Sequence, residues 1–263
     1  MKRCYIFLVM AILIFFSACN KSGSEKATRN GVENGDSSTF ESDATATNSG
    51  QKLLSVYNAG NGYVYTFEYD GQKRITQITR TDTDDGPMII KTITYSGADP
   101  ISYTETGDGY LGTVPFSRNG NKVSKYPGEE YETILVLNSD GFIIRETEGE
   151  YESSYEYANG NMINYSGPAS MVTYEYDDQK SVFHCNTPKW ILYIVGQGWF
   201  NEAIWKNNVI KQQWSSLSEE SFDTDMGSGT NEISYEYNKD GYPVKAHWEM
   251  VGVESWTATF EYK

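Results

Sequence analysis

The residues from Tyr63 to Tyr69 read YVYTFEY and run directly into DGQKR. In an extended chain Tyr63, Tyr65, Phe67 and Tyr69 fall on one face and Val64, Thr66 and Glu68 on the other. That is the period-two pattern of a strand with one buried side. The same writing returns as MVTYEYDDQK and as ISYEYNKDGY. The last aromatic or apolar residue before each turn is Tyr69, Tyr95, Phe116, Leu137, Tyr157, Tyr176, Tyr237 and Tyr262, at spacings of 26, 21, 21, 20, 19, 61 and 25. A period near 20 is the mark of a repeated supersecondary unit, and 61 reads as three periods. Asp70-Gly71, Asn119-Gly120, Asp140-Gly141, Asn159-Gly160 and Asp240-Gly241 offer the positive-φ residues that tight hairpins need. Asp177-Asp178 and Asn207-Asn208 are weaker versions. Each unit is therefore a hairpin, and the chain an all-β antiparallel meander of about 14 to 18 strands. An open twisted sheet rarely exceeds about ten strands, so a barrel or near-barrel follows.

The first residues belong to a different kind of segment. Lys2 and Arg3 precede an uncharged apolar run from Tyr5 to Phe16. That run is short of the roughly 20 residues a spanning helix needs. It ends in Phe16-Ser17-Ala18-Cys19, which resembles the lipobox of bacterial lipoproteins. The resemblance implies a signal peptide over 1–18, acylation at Cys19 and anchoring to a membrane through lipid. Asn20 rather than Asp after the cysteine suggests, by similarity to lipoprotein sorting rules, the outer membrane, with the periplasmic and cell-surface faces both open. Residues 19–50 are rich in Ser, Thr, Gly, Asn and Ala and carry few large apolar side chains, as a disordered tether does. The repeat-built domain occupies 51–263. Of three cysteines, Cys4 leaves with the signal and Cys19 is lipidated, so Cys185 has no partner for an intramolecular disulfide.

The formal charge of −15 argues against nucleic acid and against adsorption to anionic lipid. One face of most strands carries Thr, Ser, Glu and Lys and the other tyrosines. A membrane-spanning barrel needs an apolar outer band instead, so a lipid-tethered barrel is the expectation.

The repeats break between His184 and Glu202. Thr187 and Pro188 have the form of an N-cap and first helical position, Gly196 or Gly198 could end a helix, and KWILYIVGQG between them is apolar nearly all round. A short helix around 187–200 that plugs or caps one mouth is expected, with a buried strand as the alternative.

All six tryptophans (190, 199, 205, 214, 248 and 256) stand in the last third of the chain. They read either as filling for a wide barrel or as a stacking platform at its mouth, with Trp199 and Phe200, joined by Trp190 and Trp205, the chosen ligand-binding candidates. Two acidic runs raise the question of calcium: Asp82, Asp84 and Asp85, and Glu219, Glu220, Asp223 and Asp225. The run from Asp82 lacks the spacing of a calcium loop, and Asp223 and Asp225, in the longest polar loop, are the better placed metal candidates. No nucleophile elbow, phosphate loop or zinc spacing occurs, and His184 and His247 stand far apart. No catalytic residue and no cofactor are expected.

From residue 51 to 263 the chain resembles a family of lipoproteins from Gram-negative gut anaerobes, a domain of unknown function with a porin-like fold. The resemblance rests on the lipobox, on FEYDGQKRITQI and YEYNKDGYPVKA, and on NTPKW and GWFNE interrupting the repeats. The run from Tyr69 to Ile75 is also similar to the tyrosine–aspartate repeats of Rhs-type wall and toxin-shell proteins. Neither family implies a catalytic residue. The expectation is a non-enzymatic envelope lipoprotein that binds a glycan-like ligand at a barrel mouth. The alternatives are a structural scaffold that docks an envelope protein and a hydrolase built on paired carboxylates.

Overall fold

The computed structural model describes residues 52–263 apart from 84, 85, 87, 108, 109, 198, 199, 201–203 and 218–226. The expected signal peptide, lipidated cysteine and tether lie outside the described residues. Sixteen strands follow in order: β1 (Leu54–Asn58), β2 (Tyr63–Tyr69), β3 (Ile75–Asp82), β4 (Ile89–Ser96), β5 (Asp99–Gly107), β6 (Tyr110–Asn119), β7 (Lys122–Lys125) and β8 (Thr133–Leu137), then β9 (Ile143–Glu148), β10 (Tyr151–Ala158), β11 (Asn161–Ser166), β12 (Ser170–Tyr176), β13 (Val209–Ser216), β14 (Gly229–Tyr237), β15 (Pro243–Met250) and β16 (Glu254–Tyr262). Each pairs antiparallel with its neighbours in sequence, and β1 pairs with β16, so the sheet closes into a barrel, the first of the two forms the sequence allowed. One helix, α1 (Lys189–Gly196), interrupts the meander. The interval of 61 residues thus holds an insertion and one hairpin, not three hairpins.

All the expected turn-proximal residues end even-numbered strands and gather at one end of the barrel, the plugged rim. Three turns there share one construction. Asp70 Oδ1 accepts from the amides of Gln72 and Arg74 at 2.9 and 3.0 Å. Asn138 does the same with Asp140 and Phe142, and Asn238 with Asp240 and Tyr242. A side-chain oxygen three bonds from the backbone can satisfy donors that the tight turn leaves unpaired. The positive φ falls on Gly141 and Gly241 in two of these turns. In the first it falls on Lys73 (φ 61) and not on Gly71 as the sequence suggested.

The insertion is spliced into a fourth turn of this type. Asp177 Oδ1 accepts from Gln179, as expected for position two, but its second donor is Asn208 at 3.1 Å. The amide of Asp177 donates to Asn208 O at 3.0 Å, as Asp70 does to Arg74. Some thirty residues therefore leave and re-enter the chain between two atoms that an ordinary turn holds together.

The repeated tyrosine has a local partner too. Past these connections and the Asn159-Gly160 turn, and where β16 meets β1, the register slips, leaving a β-bulge. A bulge takes a carbonyl out of the ladder. Tyr69, Tyr95, Tyr157, Tyr176 and Tyr235 donate their hydroxyls to the bulge carbonyls of Leu54, Ile75, Ile143, Met162 and Val209, at 2.5 to 3.1 Å. Each bond crosses to the preceding strand and contributes about 1 kcal/mol.

Inward-facing Tyr65, Phe67, Ile75, Phe116, Leu137 and Ile143 are buried, and the insertion packs between them. The outer face bears Thr66, Glu68, Glu156, Glu232 and Glu261 and the pairs Lys211–Glu175 and Lys245–Glu236. This is a polar wall around an apolar interior, the reverse of a lipid-facing band. Among the described residues no helix is long and apolar enough to cross a membrane.

Candidate functional site

The plug enters at the plugged rim. Thr187 does not cap α1, whose first flanking residue is Pro188 without a side-chain cap. Its hydroxyl instead accepts from the amide of Ile75 at 2.7 Å, and Asn186 bonds the carbonyls of Lys73 and Gln72, which fixes the plug to the wall. Lys189 Nζ donates to Ile204 O at 2.9 Å, and burial lowers its pKa. At the far end of α1, Lys91 of β4 donates to Val195 O at 3.0 Å and lies 3.7 Å from Glu105. A cation suits the negative end of a helix. Burial nevertheless outweighs the Glu105 carboxylate and lowers the Lys91 pKa to about 8.

Trp190, Phe200 and Trp205, three of the ligand-binding candidates, are among the most deeply buried side chains. Trp190 meets Phe116 edge-on at 5.1 Å. Phe200 lies against Phe67 and Phe183, and Trp205 against Phe142 and Tyr157. All three fill the space between plug and wall. Trp199, Asp223, Asp225 and Cys19 lie outside the described residues. Among the described residues no three His, Cys, Asp or Glu stand together as metal ligands would. His184 is packed edge-on against Tyr242, its pKa lowered by burial first and then by Lys189 and Lys180. His247 sits on the outer wall.

The opposite end, the far rim, is built otherwise. In a closed sheet an inward side chain can meet only the lumen or the plug. Inward residues that retain accessible surface are the ones that solvent reaches. Toward the far rim Tyr63, Tyr165, Trp214, Trp248 and Trp256 point inward and are only half-buried. Trp248 and Trp256, opposite each other on β15 and β16, stack with centroids 5.7 Å apart and planes at 8°. Trp214 lies across Gly229 of β14, where a Cβ would come within 2.0 Å of its ring. Only glycine lets that indole lie flat on the wall.

Between the aromatics, Gln212 and Asn231 are buried and joined by an amide–amide hydrogen bond of 2.9 Å. Asn231 Oδ1 and Trp248 Nε1 are buried without a protein hydrogen-bond partner. An acceptor and a donor left this way beside ring faces are the elements a small-molecule site uses for orientation. On the other wall Tyr155 donates to Glu146 Oε2 at 2.6 Å, and Tyr193 of α1 lies 3.4 Å from Tyr155. Burial above all keeps both phenols protonated, their pKa values raised. The whole offers aromatic faces, amides and carboxylates, a set suited to holding a polar ligand.

Sequence reading named all six tryptophans but favoured those beside the insertion. Strand phase was the overlooked signal: Trp214, Trp248 and Trp256 are in step with the inward residues of their strands. Gln212, Asn231 and the Lys91–Glu105 pair carried none.

Comparison with known proteins adds three observations. The RHS Repeat family model matches residues 48–85, the stretch that contains β2, its Asp70 turn and β3. No curated protein matches the chain. Among solved structures, a porin-like protein from Bacteroides uniformis is similar at 11% identity and a TM-score of 0.49, over 81% of this chain and 97% of its own. A porin-like protein from Bacteroides vulgatus is similar at 9% identity and a TM-score of 0.42, over 81% of this chain and 99% of its own.

Proposed function

We propose that the protein is a lipid-anchored component of the outer membrane that binds a glycan-like ligand at the far mouth of its barrel and does not transform it. The observation that carries the reading is the half-buried, inward Trp248–Trp256 stack beside the unpartnered Asn231 oxygen and Trp248 nitrogen. Flat indole faces cover the apolar faces of sugar rings, and the amide and indole supply an acceptor and a donor for hydroxyls. The apolar run ending at Cys19 supports the anchor.

Thermal-shift measurements on the full mature chain against oligosaccharides, peptidoglycan fragments and bile acids test the ligand. The expected result is a rise in melting temperature that Trp248→Ala and Asn231→Ala abolish, since a ligand that binds only the native state stabilises it. No rise with any saccharide overturns the reading. Labelling cells with a radioactive fatty acid tests the anchor, which Cys19→Ala should remove.

A second reading, a scaffold that docks an envelope partner, draws on the packed plugged half, where wall and plug leave Trp190 and Trp205 fully buried.

A further inference from the structure

We infer that the far rim is a docking surface for a cationic, amphipathic polypeptide segment. This goes beyond ligand binding in the lumen and does not depend on it. The two rims differ in charge. At the plugged rim both signs are present and joined: Lys52–Asp240 at 2.8 Å, Arg74–Asp70 at 2.7 Å and Arg118–Asp99 at 2.6 Å. No connection at the far rim contains a Lys or Arg in its sequence. Among the described residues Glu129, Glu130, Glu150 and Glu254 are exposed there and Glu132 is half-buried.

The same rim carries the exposed apolar side chains. Leu111 is 75% exposed and Val253 72%, and Met88, Tyr131, Leu217 and Val251 are each more than half exposed. All six sit in connections or at strand ends of this rim. The large exposed apolar residues near the other rim, Ile101, Ile144, Ile163 and Ile210, stand on the outer wall. A ring that mixes apolar side chains with charge mainly of one sign, Lys125 being the cation at the far end of β7, fits a partner with apolar side chains and the opposite charge. Charge complementarity selects a basic polypeptide over an anionic bilayer, which this rim repels.

The test is fluorescence anisotropy of a labelled Lys–Leu amphipathic peptide titrated with the full mature protein, with the Glu–Leu counterpart as control. The Lys–Leu peptide is expected to bind and the Glu–Leu peptide not. Affinity should fall about tenfold or more as salt shortens the Debye length from about 10 Å to about 3 Å. The triple variant Glu129→Lys, Glu130→Lys, Glu132→Lys should weaken binding by about tenfold or more, and Val253→Asp should weaken it separately. Reversal of Glu68, Glu156 and Glu261 on the outer wall should leave it unchanged. Equal binding of both peptides, or equal losses from rim and wall reversals, overturns the proposal. So does binding to phosphatidylcholine–phosphatidylglycerol vesicles without binding to the peptide. Saccharide-induced stabilisation lost in Trp248→Ala but kept in the rim variants separates this proposal from the ligand-binding reading.

Discussion

The two ends of the barrel use the same strands for opposite purposes. At the plugged rim side-chain oxygens of Asp70, Asn138, Asp177 and Asn238 saturate the turn amides, and tyrosine hydroxyls bridge each bulge to the next hairpin. There the plug also buries its aromatic rings against the wall. At the far rim strand ends keep exposed apolar and acidic side chains, and the inward tryptophans keep solvent contact. Stability is concentrated at one end, which leaves the other free to carry residues that a folding core would not tolerate.

The largest effect expected from this difference concerns tryptophan truncation. Trp205→Ala should cost about 3–5 kcal/mol, because a fully buried ring leaves a cavity between plug and wall. Trp256→Ala, made on a half-buried ring, should cost much less. Urea midpoints compare the two, and equal losses would break the distinction between the ends. Trp205→Phe should be well tolerated, since the indole N–H has no protein acceptor to lose.

Next comes the pH response. The folded pKa of Lys91 lies near 8, below its ordinary value, so between pH 8 and about 10.5 the unfolded chain holds the extra proton. Stability should therefore rise with pH across that window, by on the order of 3 kcal/mol at most, and Lys91→Met should flatten the rise. The tyrosines work in the other direction. Burial raises the pKa of Tyr69, Tyr157 and Tyr262 and brings Tyr95 to about 12. Above about pH 10 the unfolded chain ionises its phenols first, and stability should fall steeply. Chemical denaturation across pH 7–12 measures both limbs. An alkaline limb that begins below pH 9 would contradict the buried tyrosine ladder.

The smallest effects come from that ladder itself. Tyr95→Phe, Tyr157→Phe and Tyr176→Phe should each lower stability by about 1 kcal/mol through one hydroxyl–carbonyl bond. Tyr63→Phe, toward the far rim, should change it by less. A uniform response at both rims would remove the ladder from the account.

The architecture was largely legible because strand alternation and hairpin spacing are local. Tyr63 to Tyr69 announces its inward face by phase alone, and the period near 20 leads to a barrel or near-barrel. The break at 184–202 announced a helix because KWILYIVG is apolar on every side. Three features were hidden for physical reasons. The interval of 61 residues could not reveal a turn opened by an insertion, because Asp177 and Asn208 meet only in space. The left-handed residue of the first turn fell on Lys73, since the capping oxygen of Asp70 sets the turn's length rather than the Asp-Gly dipeptide. The far mouth was hidden because rim identity depends on strand parity counted around the whole sheet. Trp199 drew the eye by its break in the repeat, while Trp214, Trp248 and Trp256 looked like ordinary strand residues.

The seam where β16 meets β1 repeats the pairing of a hairpin without its covalent link. Leu53 and Lys263 exchange backbone hydrogen bonds at 3.0 and 2.9 Å, the register slips beside Leu54, and Tyr69 bonds the Leu54 carbonyl as its counterparts do elsewhere. The ring has no privileged point of origin. A short linker from Lys263 to Leu53, with the chain opened instead at the Asn159-Gly160 turn, would give a circular permutant with the same wall. Hairpin number, rather than the position of the ends, is what this design counts.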